Sequence, residues 1–373
     1  MSEFIPGLEL AHLYYREAVG PILEAEYPKL VHSAGLIGPG SEVMGFDDQM
    51  SVDHNWGPQV MLFLSDEDHA RMADGLHQTL GYNLPFTFQG YPTHFEDISD
   101  DPGSVVPKMI NSRPINHRVY ITTLHGFVRR YVGIEPDQKL TLLDWLTIPE
   151  QKLRALVTGA VYHDGLNVLE SMRRKLAYYP HDLWLYLLSA QWQRIGQEEA
   201  FVGRTGVVGD EVGSTVIASR LVRDLMRLCL LMEKQYAPYP KWFGSAFARL
   251  DCADLLMPIF EKVLWSRNWQ DRQEHLAAAY EIVATMHNDL AITEPVPTTA
   301  SQFHSRPFMV IHGDAIARAI WEVIEDPEVK RLPYGVGKVD QYVDSTDTLS
   351  HSGRCQKLRA LYREEQRPGT GAG

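Results

Sequence analysis

Residues 38–57 read Gly-Pro-Gly-Ser-Glu-Val-Met-Gly-Phe-Asp-Asp-Gln-Met-Ser-Val-Asp-His-Asn-Trp-Gly, GPGSEVMGFDDQMSVDHNWG. The stretch decides the fold because of what flanks it. The apolar run Ala34–Ile37 enters it and meets Gly38-Pro39-Gly40, which predicts a strand ending in a tight turn. The continuous apolar run Val60–Leu64 leaves it and reads as a fully buried strand. Backbone amides and the Ser41 hydroxyl at such a turn can hold an anion. An extended approach to the second strand would set Asp53 and Asn55 on one face, since side-chain direction repeats every two residues. Two oxygens beside an anion-binding turn are the parts of a magnesium–nucleotide site. The competing reading is a solvated loop, because Asp47 and Asp48 are good turn residues.

Outward from this stretch, residues 8–27 recur at helical spacing, with Leu10, Tyr14, Val19 and Ile22 on one face and Pro21 as a kink. Residues 66–80 predict a helix capped by Ser65, with His69, Met72, Leu76 and Leu80 on one face. Residues 83–107 read as loop. Residues 117–123 are a third strand candidate, and a helix interrupted near Pro149 follows over 140–157. Beyond about Gly165 the periodicity is helical: 166–177, 181–199, 213–234, 242–266, 271–291 and 315–324. The fold class is therefore α+β. Residues 1–165 form a domain with a mixed sheet, 166–345 a mostly helical domain, and 346–373 an extension ending in a disordered tail.

Composition narrows the function classes. The 373 residues carry 48 acidic against 35 basic side chains, a net charge of -13, which disfavours nucleic acid and anionic membranes as partners. Cys229, Cys252 and Cys355 are unpatterned, so neither a disulfide framework nor a thiolate zinc site is expected. No leader and no apolar run of spanning length stands out, which predicts a cytoplasmic protein. HExxH, Walker and GxSxG signatures are missing, against zinc-protease, P-loop and common hydrolase readings.

The spacing of Gly40-Ser41 to Asp53 resembles that of the nucleotidyltransferase superfamily of the DNA polymerase beta type. Its pattern is a Gly-Gly or Gly-Ser pair, roughly a dozen residues, two carboxylates one residue apart, and a third on a neighbouring strand. Asn55 stands where the second carboxylate belongs, and residues 117–123 offer no third. More broadly, GSEVMGFDD, SVDHNWGP, the DWL of 144–146, YYPHDLWLY of 178–186 and YAPYPKWFG of 236–244 resemble a bacterial family with a DUF4037-type domain. That resemblance implies a nucleotidyltransferase-like N-terminal domain and a helical C-terminal domain. The turn and its oxygens predict Mg2+ and a nucleoside triphosphate as cofactors, with a small hydroxylated acceptor held between the domains.

On that reading Gly40 and Ser41 hold phosphates, Asp53 and Asn55 the metal, and Arg204 or Lys241 the developing charge. Asp182 is the candidate base of the helical domain, with helix N-terminal charge as its plainer role. Asp47 or Asp48 could supply a missing carboxylate. Arg220, Arg223 and Arg227 share one helix face and suit either acidic neighbours or an anion. Two rivals to a nucleotidyltransferase remain: a catalytically impaired relative that binds a nucleotide or metabolite, and an enzyme of different chemistry on the same fold.

Overall fold

The computed structural model describes residues 4–101 and 103–363. The GTGAG tail, expected to be disordered, lies outside them. The fold is α+β, with a four-stranded mixed sheet and a helical C-terminal region. Two compact units divide the chain: Met1–Lys139 with Gln151–Ala177, and Leu140–Glu150 with Tyr178–Gly373. A single crossing near 165 is what the sequence suggested; the chain crosses at 139/140, 150/151 and 177/178.

The first unit is built on the sheet. Its strand order is Arg118–Thr123, Gln59–Leu64, Ser33–Leu36, Ala160–Asp164. The first two run parallel, with Gln59 opposite Arg118, and the other pairings are antiparallel. The parallel pair is joined by a connection containing helix Asp66–Asn83. Strand Gln59–Leu64 is buried along its whole length, as its unbroken apolar run requires. Val60, Leu62 and Leu64 join Leu10, Tyr14, Leu76 and Leu80 in one core. Phe63 points the other way, against Phe127 of helix Leu124–Val132. Ser65 caps Asp66–Asn83 by accepting from the Asp68 amide at 3.0 Å.

Three local expectations are corrected. The kink assigned to Pro21 is a π-helical turn over Tyr15–Val19, directly before helix Gly20–Glu26. Proline has no N–H to give and crowds the preceding turn, so the ladder widens there. Residues 83–107 contain two short antiparallel pairs, Thr87–Phe88 with Tyr91–Pro92 and His94–Asp97 with Val105–Lys108. The strand Ala160–Asp164 was not foreseen, because its polar His and Asp interrupt the apolar pattern.

The second unit is helical. Helices His181–Glu198, Phe201–Val207, Glu211–Met232, Ala253–Trp265, Trp269–Asp289 and Gly313–Glu322 are its longest, with one small strand pair among the described residues, Ser301–Gln302 and Met309–Val310. Arg272 is 1% exposed and clamps three helix ends. It donates to Glu211 at 3.0 Å, Ser214 at 2.7 Å and the Ser266 carbonyl at 2.9 Å. No helix among the described residues is long and apolar enough to cross a membrane.

Helix Gly313–Glu322 starts on a carboxylate from elsewhere. Glu199 is buried and accepts from the amides of Ile311 at 2.7 Å and Gly313 at 3.1 Å. Burial, opposed by these amides, pushes its carboxyl up to about 7. The folded state thus holds this proton more tightly than the unfolded chain. Glu199 favours folding below the ordinary carboxylate range and loses that contribution as the pH rises through about 7. Urea unfolding from pH 5 to 8 checks this: wild type loses stability relative to Glu199→Gln as the pH rises. A pH-independent difference would contradict the assignment.

Candidate functional site

Strand Ser33–Leu36 delivers the chain into the glycine turn. Gly38 (φ 99°) donates its amide to the Ala155 carbonyl at 2.8 Å, and Gly40 (φ 150°) turns the chain into residues 41–45. There the Phe46 amide reaches the Ser41 carbonyl at 2.9 Å and the Gly45 amide the Glu42 carbonyl at 3.1 Å. Gly40 and Ser41 are half-buried, and Pro39 is exposed.

At the centre of this turn is a residue that sequence reasoning passed over. Glu42 is 4% exposed. Its Oε1 accepts from Gln59 Nε2 at 2.8 Å, and Ser41 Oγ donates to its Oε2 at 3.5 Å. Burial pushes its carboxyl up; its own amide, Arg118 and Gln59 pull it down, and Asp47 adds repulsion. Arg118 stacks its guanidinium over Phe95 and Tyr120 and donates through Nε to the Tyr120 hydroxyl at 2.7 Å. Its Nη1 is buried and has no hydrogen-bond partner among the described residues. The available signal was Glu42 itself, an acid followed directly by Val43-Met44 in an otherwise polar stretch.

Two of the other acids of the stretch are committed. Asp47 Oδ2 accepts from the Gly7 amide at 2.6 Å and Trp56 Nε1 at 3.0 Å, fixing the start of the first helix. Asp48 caps a 3-10 helix over Gln49–Asp53 by accepting from the amides of Met50 at 2.8 Å and Ser51 at 3.2 Å. That cap overturns the expected extended approach to the strand. Asp53 ends the 3-10 helix with its side chain 65% exposed and paired to His54 Nδ1 at 2.9 Å. The His54 hydrogen bond holds its carboxyl below the ordinary range.

Asn55 has a different task. It sits in the left-handed region at φ 53°, which asparagine tolerates better than most residues. Its Nδ2 donates to Ser104 Oγ at 3.2 Å, and its Oδ1 accepts from the Val105 amide at 3.1 Å. The Asn55 amide itself reaches the Val105 carbonyl at 2.8 Å. A side chain with both a donor and an acceptor meets this pair of partners. Asp53 and Asn55 therefore do not present a common pair of oxygens to a metal as folded, and the residues here do not fit a two-carboxylate magnesium centre. On Arg118–Thr123, the Thr123 hydroxyl caps helix Leu124–Val132 through the Gly126 amide at 3.0 Å.

The candidates of the second unit are separate features. Asp182 accepts from the amides of Glu325 at 2.8 Å and Asp326, so it orders a turn. Arg204 is exposed, 5.5 Å from the Phe201 ring centroid, and Lys241 is exposed, 5.1 Å from that of Trp242. None of the three shares a hydrogen-bond partner with another. The arginine face meets acids: Arg220 with Glu198 at 2.8 Å, Arg223 with Asp344 at 2.5 Å, and Arg227 with Glu150 at 3.2 Å.

Arg227 belongs to a buried charge cluster that sequence reasoning also missed. Glu150 accepts from Arg227, from the Tyr179 hydroxyl at 3.1 Å and from the Ala237 amide at 3.3 Å. The Glu150 amide donates to Asp340 at 3.0 Å and 3.1 Å. Lys338 Nζ donates to the Tyr179 hydroxyl at 2.8 Å and the Ile148 carbonyl at 3.0 Å, and pairs with Asp340 at 3.0 Å. Two acids and two bases balance out of water.

Comparison with known proteins bears on part of this chain. No curated protein and no solved structure matches it. Residues 145–243 match the family described as "Domain of unknown function (DUF4037)". Glu150, Tyr179, Asp182, Arg204, Arg227 and Lys241 fall inside the match, and the Gly38–Gly57 stretch falls outside it. Residues 145–243 are thus similar to the DUF4037 family, whose model covers about a quarter of the chain.

Proposed function

We propose that the Gly40-Ser41 turn of the first unit binds the phosphates of a nucleoside triphosphate, in a nucleotidyltransferase-like protein whose two-metal transfer has lapsed. The observation that supports this most is the set of donors meeting at one buried point of the turn: the Ser41 hydroxyl and the Gln59 amide, with the Arg118 guanidinium near. Oriented donors and a cation at a glycine turn suit a phosphate. The lapse is argued from Asn55, whose carbonyl oxygen is spent on Val105. A second reading keeps nucleotidyl transfer to a small hydroxylated acceptor. It is favoured by the exposure of the Asp53 carboxylate, which leaves one hard ligand for Mg2+.

Calorimetric titration with ATP and GTP, in EDTA and again with Mg2+, separates the two. The first reading expects binding in EDTA, about tenfold weaker in Ser41→Ala for one lost charge-assisted hydrogen bond, and unchanged in Asp53→Ala. Binding that needs Mg2+ and disappears in Asp53→Ala would favour transfer, as would release of pyrophosphate seen by phosphorus NMR. No binding of either nucleotide under any condition, by wild type or by any variant, would remove both.

A further inference from the structure

The donors at the turn already hold a carboxyl group, and it is the chain's own. The Glu42 carboxylate lies directly against Gly40: a Cβ added there would stand 2.4 Å from Oε1 and 2.8 Å from Oε2. Gly40 thus provides the bare backbone that close approach of an anion needs. Around the carboxylate stand Ser41 Oγ, Gln59 Nε2 and the amide of Glu42 itself, with Arg118 on the neighbouring strand. This is the composition of a receptor for an oxyanion.

A plain structural account would make Glu42 a pin between the turn and strand Gln59–Leu64. Two observations exceed that account. A pin to Gln59 needs one acceptor oxygen, which an uncharged amide supplies without the cost of burying a charge. Glu42 instead keeps a carboxylate 4% exposed, with the Asp47 carboxylate as a repelling neighbour. Arg118 Nη1, moreover, is buried with no partner among the described residues, so the cation of the cluster has donor capacity that Glu42 does not use.

We propose that Glu42 is an internal placeholder: its carboxylate occupies the phosphate position of the turn, and a ligand phosphate binds by displacing it and taking over its donors. This rests on the reading that the turn is a phosphate site, and it names how that site is regulated. The half-buried Gly40-Ser41 edge is where the phosphate comes in. The apparent affinity is then the intrinsic affinity multiplied by the fraction of molecules in which Glu42 has swung away. Removing the carboxylate raises that fraction towards one.

The test is titration of wild type, Glu42→Gln and Glu42→Ala with pyrophosphate and with ATP, all in EDTA, with circular dichroism to confirm folding. Both variants are expected to bind at least about tenfold more tightly than wild type, as release from a competing closed state requires. Unchanged or weaker binding in the variants overturns the placeholder and leaves the nucleotide reading standing. Tighter pyrophosphate binding without ATP binding keeps the placeholder and removes the nucleotide. No binding of either probe by any of the three proteins removes both. Should Glu42→Ala fail to fold, Glu42→Gln decides, because it keeps an acceptor for Gln59 and replaces the carboxylate by an uncharged amide.

Discussion

Replacing Glu150 by alanine lowers the unfolding free energy of the second unit by about 3–5 kcal/mol, the cost of stranding a buried charge. Glu150 is 3% exposed and Lys338 0% exposed, so Lys338 cannot turn to water without opening the fold, while the Arg227 side chain is 15% exposed. With Glu150 gone, Arg227 loses its carboxylate partner, Lys338 keeps Asp340, and the Tyr179 hydroxyl and Ala237 amide lose an acceptor. The cluster as a whole is worth far less than this figure, since desolvation offsets most of the Coulomb gain. The double variant Glu150→Ala, Arg227→Met therefore recovers part of the loss. Urea unfolding followed by tryptophan fluorescence measures both. A loss below about 1 kcal/mol in the single variant, the range of exposed pairs, would show that the charges are reached by water.

Gly159→Ala destabilises the first unit by about 3 kcal/mol, for reasons of backbone shape alone. Gly159 has φ 74°, in the left-handed region, and an added Cβ would stand 2.2 Å from the Leu36 carbonyl oxygen. That atom is backbone in the strand that Ala160–Asp164 pairs with, so relief means moving the strand edge. Its amide donates to the Val43 carbonyl at 3.0 Å, which links the same edge to the glycine turn. Gly159→Ala should therefore lower the thermal midpoint and also weaken any binding at Gly40-Ser41. A midpoint within a degree or two of wild type would show that the sheet edge yields easily.

Local chemistry made much of this architecture readable before any coordinates. The run into Gly38-Pro39-Gly40, the apolar Val60–Leu64 and the Ser65 cap each stated their structure through nearest neighbours. What failed to show was whatever depends on distant partners. Asp48 chose to cap a 3-10 helix, and Asn55 to serve a hairpin 50 residues further on, so the expected metal face never formed. Burial is equally silent in a sequence. Glu42 looked like one more acid in a polar loop, and only the placement of Gln59 and Arg118 on adjacent strands shows what surrounds it. Glu150 was hidden for the same reason, its partner Asp340 being 190 residues away.

The route of the chain has a consequence for inheritance. Leu140–Glu150 belongs to the second unit while the residues on both sides of it belong to the first. A single recombination breakpoint placed between 140 and 177 takes a strand, a helix or a charge from one unit and leaves it with the other. The family segment 145–243 carries Glu150, Tyr179 and Arg227 but borrows Lys338 and Asp340 from beyond its end. Shuffled into another chain by itself, it would arrive with the Glu150–Arg227 pair but without the Lys338–Asp340 pair that meets the same Tyr179 hydroxyl. Moving either unit intact therefore needs more than one cut in the chain.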